Sequence, residues 1–379
     1  MLQTDDAITK DLVLRKIALG ELAGDKTGYA STEKPWLKFY SEDDIRAKLM
    51  EKTAYQALVD ESSNYLDDIA FHYYGLEVSF KELIANINTA ADAYASMGVI
   101  AGDTVMISSL TTPEIIYSFY ALNIIGAIPN LVDPRTSVEG INYYCNEAKA
   151  RFVVTLDQLT EKITQATQNT DVGCVITIDP TNALKSVGDQ NNTDFDRNGQ
   201  RIVSWRKLIS MSVAGAAKEK PYIANDCCVI VHTGGTTGNT KSVMLSNDNL
   251  NAAAHLAIHS PLQLKRKDSF LNLMPPFISY GVVIGLHTAL IEGWKSIIIP
   301  QFELSQFDQL VLQYKPNGIM GVPAYFEILM NSPKVQQMDL SFMKAVLIGG
   351  DNTSEEFEKK INGFLLNIIV PFTLAKDIA

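Results

Sequence analysis

A run of residues from Val229 to Lys241, Val-Ile-Val-His-Thr-Gly-Gly-Thr-Thr-Gly-Asn-Thr-Lys, is built to hold an anion. It opens as an apolar, β-branched segment, Cys227 to Val231, which predicts a buried strand. Three glycines, four threonines and one lysine follow, with no carboxylate among them. Glycine admits positive φ and close backbone approach. Consecutive N–H groups in such a loop form an anion nest. Thr233, Thr236 and Thr237 add hydroxyl donors and Lys241 adds a full positive charge, which is chemistry suited to phosphate.

The spacing departs from two common phosphate motifs. The Walker loop needs glycine directly before its lysine, and Thr240 stands there. The dinucleotide fingerprint needs G-x-G, and Gly234-Gly235 is a doublet. The stretch instead resembles the signature loop of the adenylate-forming, AMP-binding family, which reads roughly [ST]-[SG]-G-T-T-G-x-P-K-G-V. Thr240 replaces the usual proline and Ser242 the usual glycine, and neither change removes the amides, the hydroxyls or the lysine.

Three further segments occur in the family's order. Phe119 to Pro134 resembles its second core segment, a helix, a Gly-Ala turn and a strand ending in Asp-Pro. Met274-Pro-Pro-Phe-Ile-Ser-Tyr-Gly281 resembles the Pro-x-Phe-His-x-x-Gly segment of acyl- and aryl-CoA ligases, with Ile278 where histidine is usual. Ala345-Val-Leu-Ile-Gly-Gly-Asp351 resembles the strand and Gly-Gly turn bordering adenine and acyl sites. No Phe-Asp-x-Ser pattern is seen, so a plain carboxylic acid is favoured over an amino acid.

The resemblance implies roles residue by residue. Lys241 and Thr236 are the expected catalytic residues, and Thr237 the expected metal-associated hydroxyl. Thr233, Gly234, Gly235, Thr236, Thr237, Gly238 and Lys241, with Gly350 and Asp351, are expected to bind nucleotide. Phe277, Ile278, Ser279, Tyr280 and Gly281, with Gly349, are expected to line the acid pocket. The implied cofactors are ATP, Mg2+ and CoA as acceptor. The implied partners are a carboxylic acid and either CoA or an acyl carrier protein.

Other residues carry blander readings. His232 directly precedes the loop and reads as a core-facing histidine at a strand end. His255 and His259 share zinc-helix spacing, but Leu256 occupies the glutamate position of that motif, so they read as structural. The cysteines, Cys145, Cys174, Cys227 and Cys228, lack C-x-x-C spacing and read as small buried hydrophobes in a reducing compartment. A net charge of −11 argues against a nucleic-acid partner. The N-terminus is acidic and polar, so no signal peptide is expected, and the expected localisation is cytoplasmic. Ile115 to Val132 and Ser269 to Ile291 lack charge over the length of a membrane span. Their prolines and polar residues predict buried helix-plus-strand units instead.

The elements around these motifs alternate strand and helix. Strands are predicted at Thr104–Ser109, Ala127–Val132, Arg151–Thr155, Gly173–Ile178, Phe270–Met274, Ser296–Ile299, Gly318–Gly321 and Ala345–Ile348. Helices are predicted over Thr53–Glu61, Ser79–Met97, Glu114–Ile125, Val138–Ala148, Ser246–Ile258, Val282–Glu292, Phe307–Tyr314, Pro323–Met330 and Ser354–Phe364. Ser79 with Glu82 predicts a capping box, Ser41 a cap, and Asn247 and Asp248 are suited to capping. Residues 1–45 read as an irregular arm broken by Gly20, Gly24 and Gly28, and Asp179 to Gly199 as a surface excursion. The alternation argues for α/β architecture. With the resemblance, the expectation becomes two αβαβα-type subdomains with mainly parallel sheets, spanning 46–262 (phosphate loop 233–241) and 263–379, the second incomplete. The family's small C-terminal domain has no counterpart here.

The family joins a carboxylate to the α-phosphate of ATP and commonly passes the acyl group to CoA. Its Tyr-Gly-x-Thr-Glu segment and C-terminal lysine do not occur in this sequence. The expectation is an AMP-forming acid–thiol ligase of which this chain lacks full activity. The alternatives are a non-catalytic nucleotide- or acyl-binding protein derived from such a ligase, and an amino-acid adenylation domain.

Overall fold

A computed structural model describes residues 5–24, 27–186, 192–197, 199–233, 241–258, 264–351 and 353–366. Fourteen strands lie among them. In chain order they are β1 Ile69–Tyr73, β2 Leu76–Ser79, β3 Thr104–Ser108, β4 Ile128–Leu131, β5 Ala150–Leu156, β6 Cys174–Ile178 and β7 Asp194–Arg197. Then follow β8 Gln200–Ser204, β9 Cys227–Thr233, β10 Lys241–Ser246, β11 Ser269–Asn272, β12 Lys295–Ile298, β13 Gly318–Gly321 and β14 Ala345–Ile348.

They form an eight-stranded sheet in the order β10-β9-β4-β3-β5-β6-β8-β7 and a six-stranded sheet in the order β14-β13-β11-β12-β1-β2. Each sheet is parallel except at edges, where β10 on β9, β7 on β8 and β2 on β1 run antiparallel. The strands alternate strictly in what they pack against. Val105, Ile107, Phe152, Val154 and Ile176 enter one apolar cluster, while Met106, Val153 and Val175 enter another on the opposite face. The first cluster also contains Phe71 and Ile298 of the six-stranded sheet and the helix Pro113–Ile125, so the two sheets share an inner helical layer. Leu271, Ile297, Ile319 and Val346 pack outward with the helices Phe307–Tyr314, Pro323–Asn331 and Glu355–Leu366. The resulting layering is helices, sheet, shared helices, sheet, helices, and most strand pairing is parallel, as the sequence leads one to expect.

Several elements differ from the sequence reading. Residues 1–45 contain a regular helix, Asp5–Ala18, because the breaking glycines all lie beyond its end. Its acidic first turn and basic last turn complement the helix dipole. No strand is expected before Thr104, yet β1 and β2 form a hairpin whose turn residues, Tyr74 (φ 46) and Gly75 (φ 99), both adopt positive φ. Tyrosine there conceals the turn from a reading by residue type. This hairpin joins the sheet otherwise built from residues after 268, so the two sheets do not divide the chain at one point. Part of the excursion after Asp179 is the edge strand β7. The capping boxes at Ser41, Thr53 and Ser79 are all present. At helix Asn247–Ile258 the reciprocal cap pairs Ser246 with Asn249 instead of using Asn247 or Asp248. The fully buried helix Pro113–Ile125 and strand β4 account for the first uncharged stretch. No helix among the described residues is long and apolar enough to cross a membrane.

Candidate active site

β9 ends at Thr233 and β10 begins at Lys241, and these two residues are register partners in the antiparallel ladder. The ladder therefore closes the base of the loop and fixes where its lysine starts. Both side chains are exposed. Gly234, Gly235, Thr236, Thr237 and Gly238 lie outside the described residues, as does His259.

One residue below, His232 faces Ser242 across the ladder. His232 Nε2 lies 2.7 Å from Asn130 Oδ1, and its ring stacks on Tyr144 at 4.0 Å between centroids. Its Nδ1 is 3.3 Å from Ser242 Oγ, whose hydroxyl also donates to the Glu147 carboxylate. Burial holds the imidazole below its ordinary pKa, with Glu147 opposing. A neutral ring protonated on Nε2 donates to Asn130 Oδ1, while the single Ser242 proton goes to Glu147. His232 is thus half-buried, bonded through Nε2 and packed on Tyr144, in keeping with a structural role.

The segment expected to line an acid pocket follows β11. Asn272 is buried, donates from Nδ2 to the Gly285 carbonyl at 2.7 Å and accepts from the Met274 amide at 3.3 Å. These bonds fold the chain back after the strand. Phe277 is buried in the shared core, Ile278 is half-buried, and Ser279 is exposed. Tyr280 is half-buried and burial pushes its phenol pKa up. Gly281 sits so close to the Pro275 carbonyl that a Cβ would lie 1.8 Å from that oxygen. The helix expected over Val282–Glu292 is a π-helix, Tyr280–Thr288, continued by an α-helical turn, Ala289–Ile291. π geometry commonly marks functional sites.

The Gly-Gly turn follows β14. The Gly349 amide donates to the Gly321 carbonyl at 3.1 Å, and Gly350 adopts φ +80, open to glycine without cost. A Cβ at Gly349 would meet the Tyr280 ring at 3.5 Å, so the tyrosine lies against this turn. Asp351 is exposed. Phe277–Gly281 and Gly349–Asp351 thus lie just beyond the carboxyl ends of parallel strands, where ligands of open α/β sheets bind. Ile278, Tyr280, Val322 and Tyr325 all pack on one cluster with Met274 and Met320, giving this edge an apolar lining without a charged side chain among them.

Sequence reasoning passes over Asn130, Asn272, His287 and Asn251. The available signal is an asparagine inside an apolar strand, as in Leu271-Asn272-Leu273 and Pro129-Asn130-Leu131, since a buried amide must find partners. All four cysteines are free; Cys145, Cys174 and Cys228 are buried while Cys227 is half-buried, and burial pushes the Cys145 and Cys174 thiols to about 12. Among the described residues no group of three or more His, Cys, Asp or Glu side chains could hold a metal.

Known proteins resemble this chain in sequence and in fold. The long-chain-fatty-acid–CoA ligase of Bacillus subtilis (strain 168) is 25% identical over 352 residues, 88% of this chain and 62% of its own length. The 4-coumarate–CoA ligase 4 of Arabidopsis thaliana is 24% identical over 290 residues, 76% of this chain and 49% of its own. The chain therefore spans about half to three-fifths of these relatives. Among solved structures, an anthranilate CoA ligase in complex with anthranoyl-AMP matches with a TM-score of 0.72 at 17% identity, over 83% of this chain and 58% of that one. A long-chain-fatty-acid-CoA ligase from Archaeoglobus fulgidus matches with a TM-score of 0.69 at 19% identity, over 85% and 62%. Residues 58–371 match the family described as AMP-binding enzyme, and the chain belongs to that family.

Proposed function

We propose that this chain forms the ATP- and acid-binding body of an AMP-forming acid–thiol ligase. In that reaction a carboxylate oxygen attacks the α-phosphorus of ATP, pyrophosphate leaves, and the acyl-adenylate passes its acyl group to CoA. The observation that carries the reading is the ladder that opens β10 at Lys241 opposite Thr233, in a chain of the AMP-binding family. Lys241 and Thr233, with Gly234 to Gly238 between them, would hold the phosphates. Thr236 would act with Lys241 on the reacting phosphoryl group, and Thr237 would meet Mg2+. Gly350 and Asp351 would border the nucleotide.

Tyr280 against Gly349, with Phe277, Ile278, Ser279 and Gly281, would form the acid pocket. The apolar residues packed at this edge favour an apolar carboxylic acid, aliphatic or aromatic, over a charged or amino-bearing one, since a buried charge without a partner is costly. CoA is the favoured acceptor because both relatives compared are CoA ligases. The 379-residue polypeptide tested alone binds ATP and acid but turns over slowly or not at all.

Calorimetric titration of ATP with magnesium tests this on the wild type and Lys241→Ala. Loss of one charge-assisted contact should weaken binding by roughly 10- to 100-fold. Equal affinity in both proteins would remove Lys241 from the phosphate site and the proposal with it.

A further inference from the structure

Behind the candidate site runs a buried polar chain that joins three helices. Tyr120 of helix Pro113–Ile125 is 3.0 Å from His287 Nδ1 on the π-helix, and His287 Nε2 is 2.9 Å from Asn251 Oδ1 on helix Asn247–Ile258. All three side chains are within 1% of complete burial. Asn251 Nδ2 donates to the Lys52 carbonyl at 2.8 Å, which turns its oxygen toward the ring. Nε2 must then carry the proton and donate, leaving the Nδ1 lone pair to accept from the Tyr120 hydroxyl. Burial lowers the His287 pKa to about 3, so the ring stays neutral and this direction of donation holds across the physiological range. A second link is anchored one helical turn away: Asn247 Oδ1 accepts from the Ala54 amide and from Asn123 Nδ2, each at 2.9 Å.

Two members of this chain of bonds, His287 and Asn251, sit on the elements that lead to the two halves of the candidate site. The π-helix starts at Tyr280, the residue lying against Gly349. Helix Asn247–Ile258 follows directly on β10, with no loop between them, and β10 begins at Lys241. A shift of the π-helix is therefore handed through His287 to Asn251, and through one helix and one strand to the lysine. Because a buried amide and imidazole left without partners are costly, these groups move together instead of separating.

We propose that His287, with Tyr120 and Asn251, is a positioning residue that couples occupancy of the acid pocket to the grip of Lys241, at the start of β10, on ATP. This rests on the ligase reading above. His287 touches neither ligand; it sets the affinity of one site according to the state of the other.

The test measures that coupling by calorimetry on the full 379-residue chain. ATP with magnesium is titrated alone and in the presence of laurate or 4-coumarate, and each acid is titrated alone. In the wild type, the acid that binds should tighten ATP by at least about fivefold. In His287→Leu each ligand alone should keep its affinity within about twofold, while the tightening falls to about onefold. Tyr120→Phe, which removes one hydroxyl and keeps the ring, should lower the tightening in the same sense and decides the question where the leucine variant does not fold. Full wild-type tightening in a folded variant overturns the proposal. Wild-type binding of ATP and an acid with no tightening also overturns it, while leaving the ligase reading intact. Wild-type binding of neither ligand overturns both.

Discussion

Glu114 is the second residue of helix Pro113–Ile125 and is 3% exposed. Its Oε2 has no hydrogen-bond partner. Burial raises its pKa from 4.5 to about 7, against the lowering effect of the Thr112 hydroxyl and its own amide, with Asp179 raising it further. A carboxyl whose folded pKa is raised binds its proton more tightly in the native state. Its stabilising contribution is whole below pH 4.5, the unfolded value, and is lost as pH rises through about 7. At about 1.4 kcal/mol per unit, the full loss is about 3 kcal/mol, of which about 2 kcal/mol falls between pH 5 and pH 8. Glu114→Gln cannot ionise and removes that slope. Urea unfolding of both proteins at pH 5, 6, 7 and 8 measures the difference. The variant should gain about 2 kcal/mol on the wild type from pH 5 to pH 8. A difference that stays constant with pH would show that Glu114 ionises in the folded protein as it does in water, and the argument from its burial would fail.

Two further substitutions probe the proposed acid pocket. Gly281→Ala places a Cβ 1.8 Å from the Pro275 carbonyl oxygen, a backbone atom that cannot step aside, so the π-helix must shift. It should cost about 2–3 kcal/mol, read as a lower melting temperature, and an unchanged melting curve would contradict the close approach. Tyr280→Ala removes the ring lying against Gly349 and should weaken acid binding roughly tenfold with ATP affinity unchanged, since about 1–3 kcal/mol accompanies burial of such a ring. If ATP affinity fell as much as acid affinity, Tyr280 would belong to the nucleotide site instead.

Much of the fold is legible locally. Ser79 with Glu82, and Thr112-Pro113 ahead of an apolar run closed by Gly126, specify two helices by capping chemistry, and the structure has both. The parallel strands are visible because burial on both faces makes them nearly all apolar. What escapes is set by partners distant in sequence. β1 packs beside β12, more than two hundred residues later, and neither its composition nor its turn announces a strand. β10 begins with a lysine and carries Ser242 and Ser246, so it becomes a strand only because β9 supplies its ladder. The π-helix is read as α because the apolar content of Val282 to Ile291 is the same in either winding. Of the candidate site, the motifs name the segments, while the amide and imidazole bonds behind them come only from the fold.

The departures from the family's motifs have opposite consequences. Ser242 is one strand position from Lys241, so its side chain leaves the opposite face of β10. Its hydroxyl is taken by Glu147 and lies beside His232, which ties the base of the loop to helix Val138–Glu147 and leaves the lysine's face unchanged. The substitution of glycine is thus absorbed on the face of β10 away from Lys241. Ile278 is different. It packs on both the shared core and the cluster containing Met274 and Met320, at the edge where Tyr280 meets Gly349. Histidine there would bring a hydrogen-bonding ring to the pocket wall; isoleucine makes the wall apolar. A polar group on the bound acid facing Ile278 would lose water without gaining a partner. On the proposed ligase reading, Ser242 leaves the lysine's face of β10 unaltered while Ile278 narrows the choice of acid, so specificity would be sought on the Ile278 side of the site.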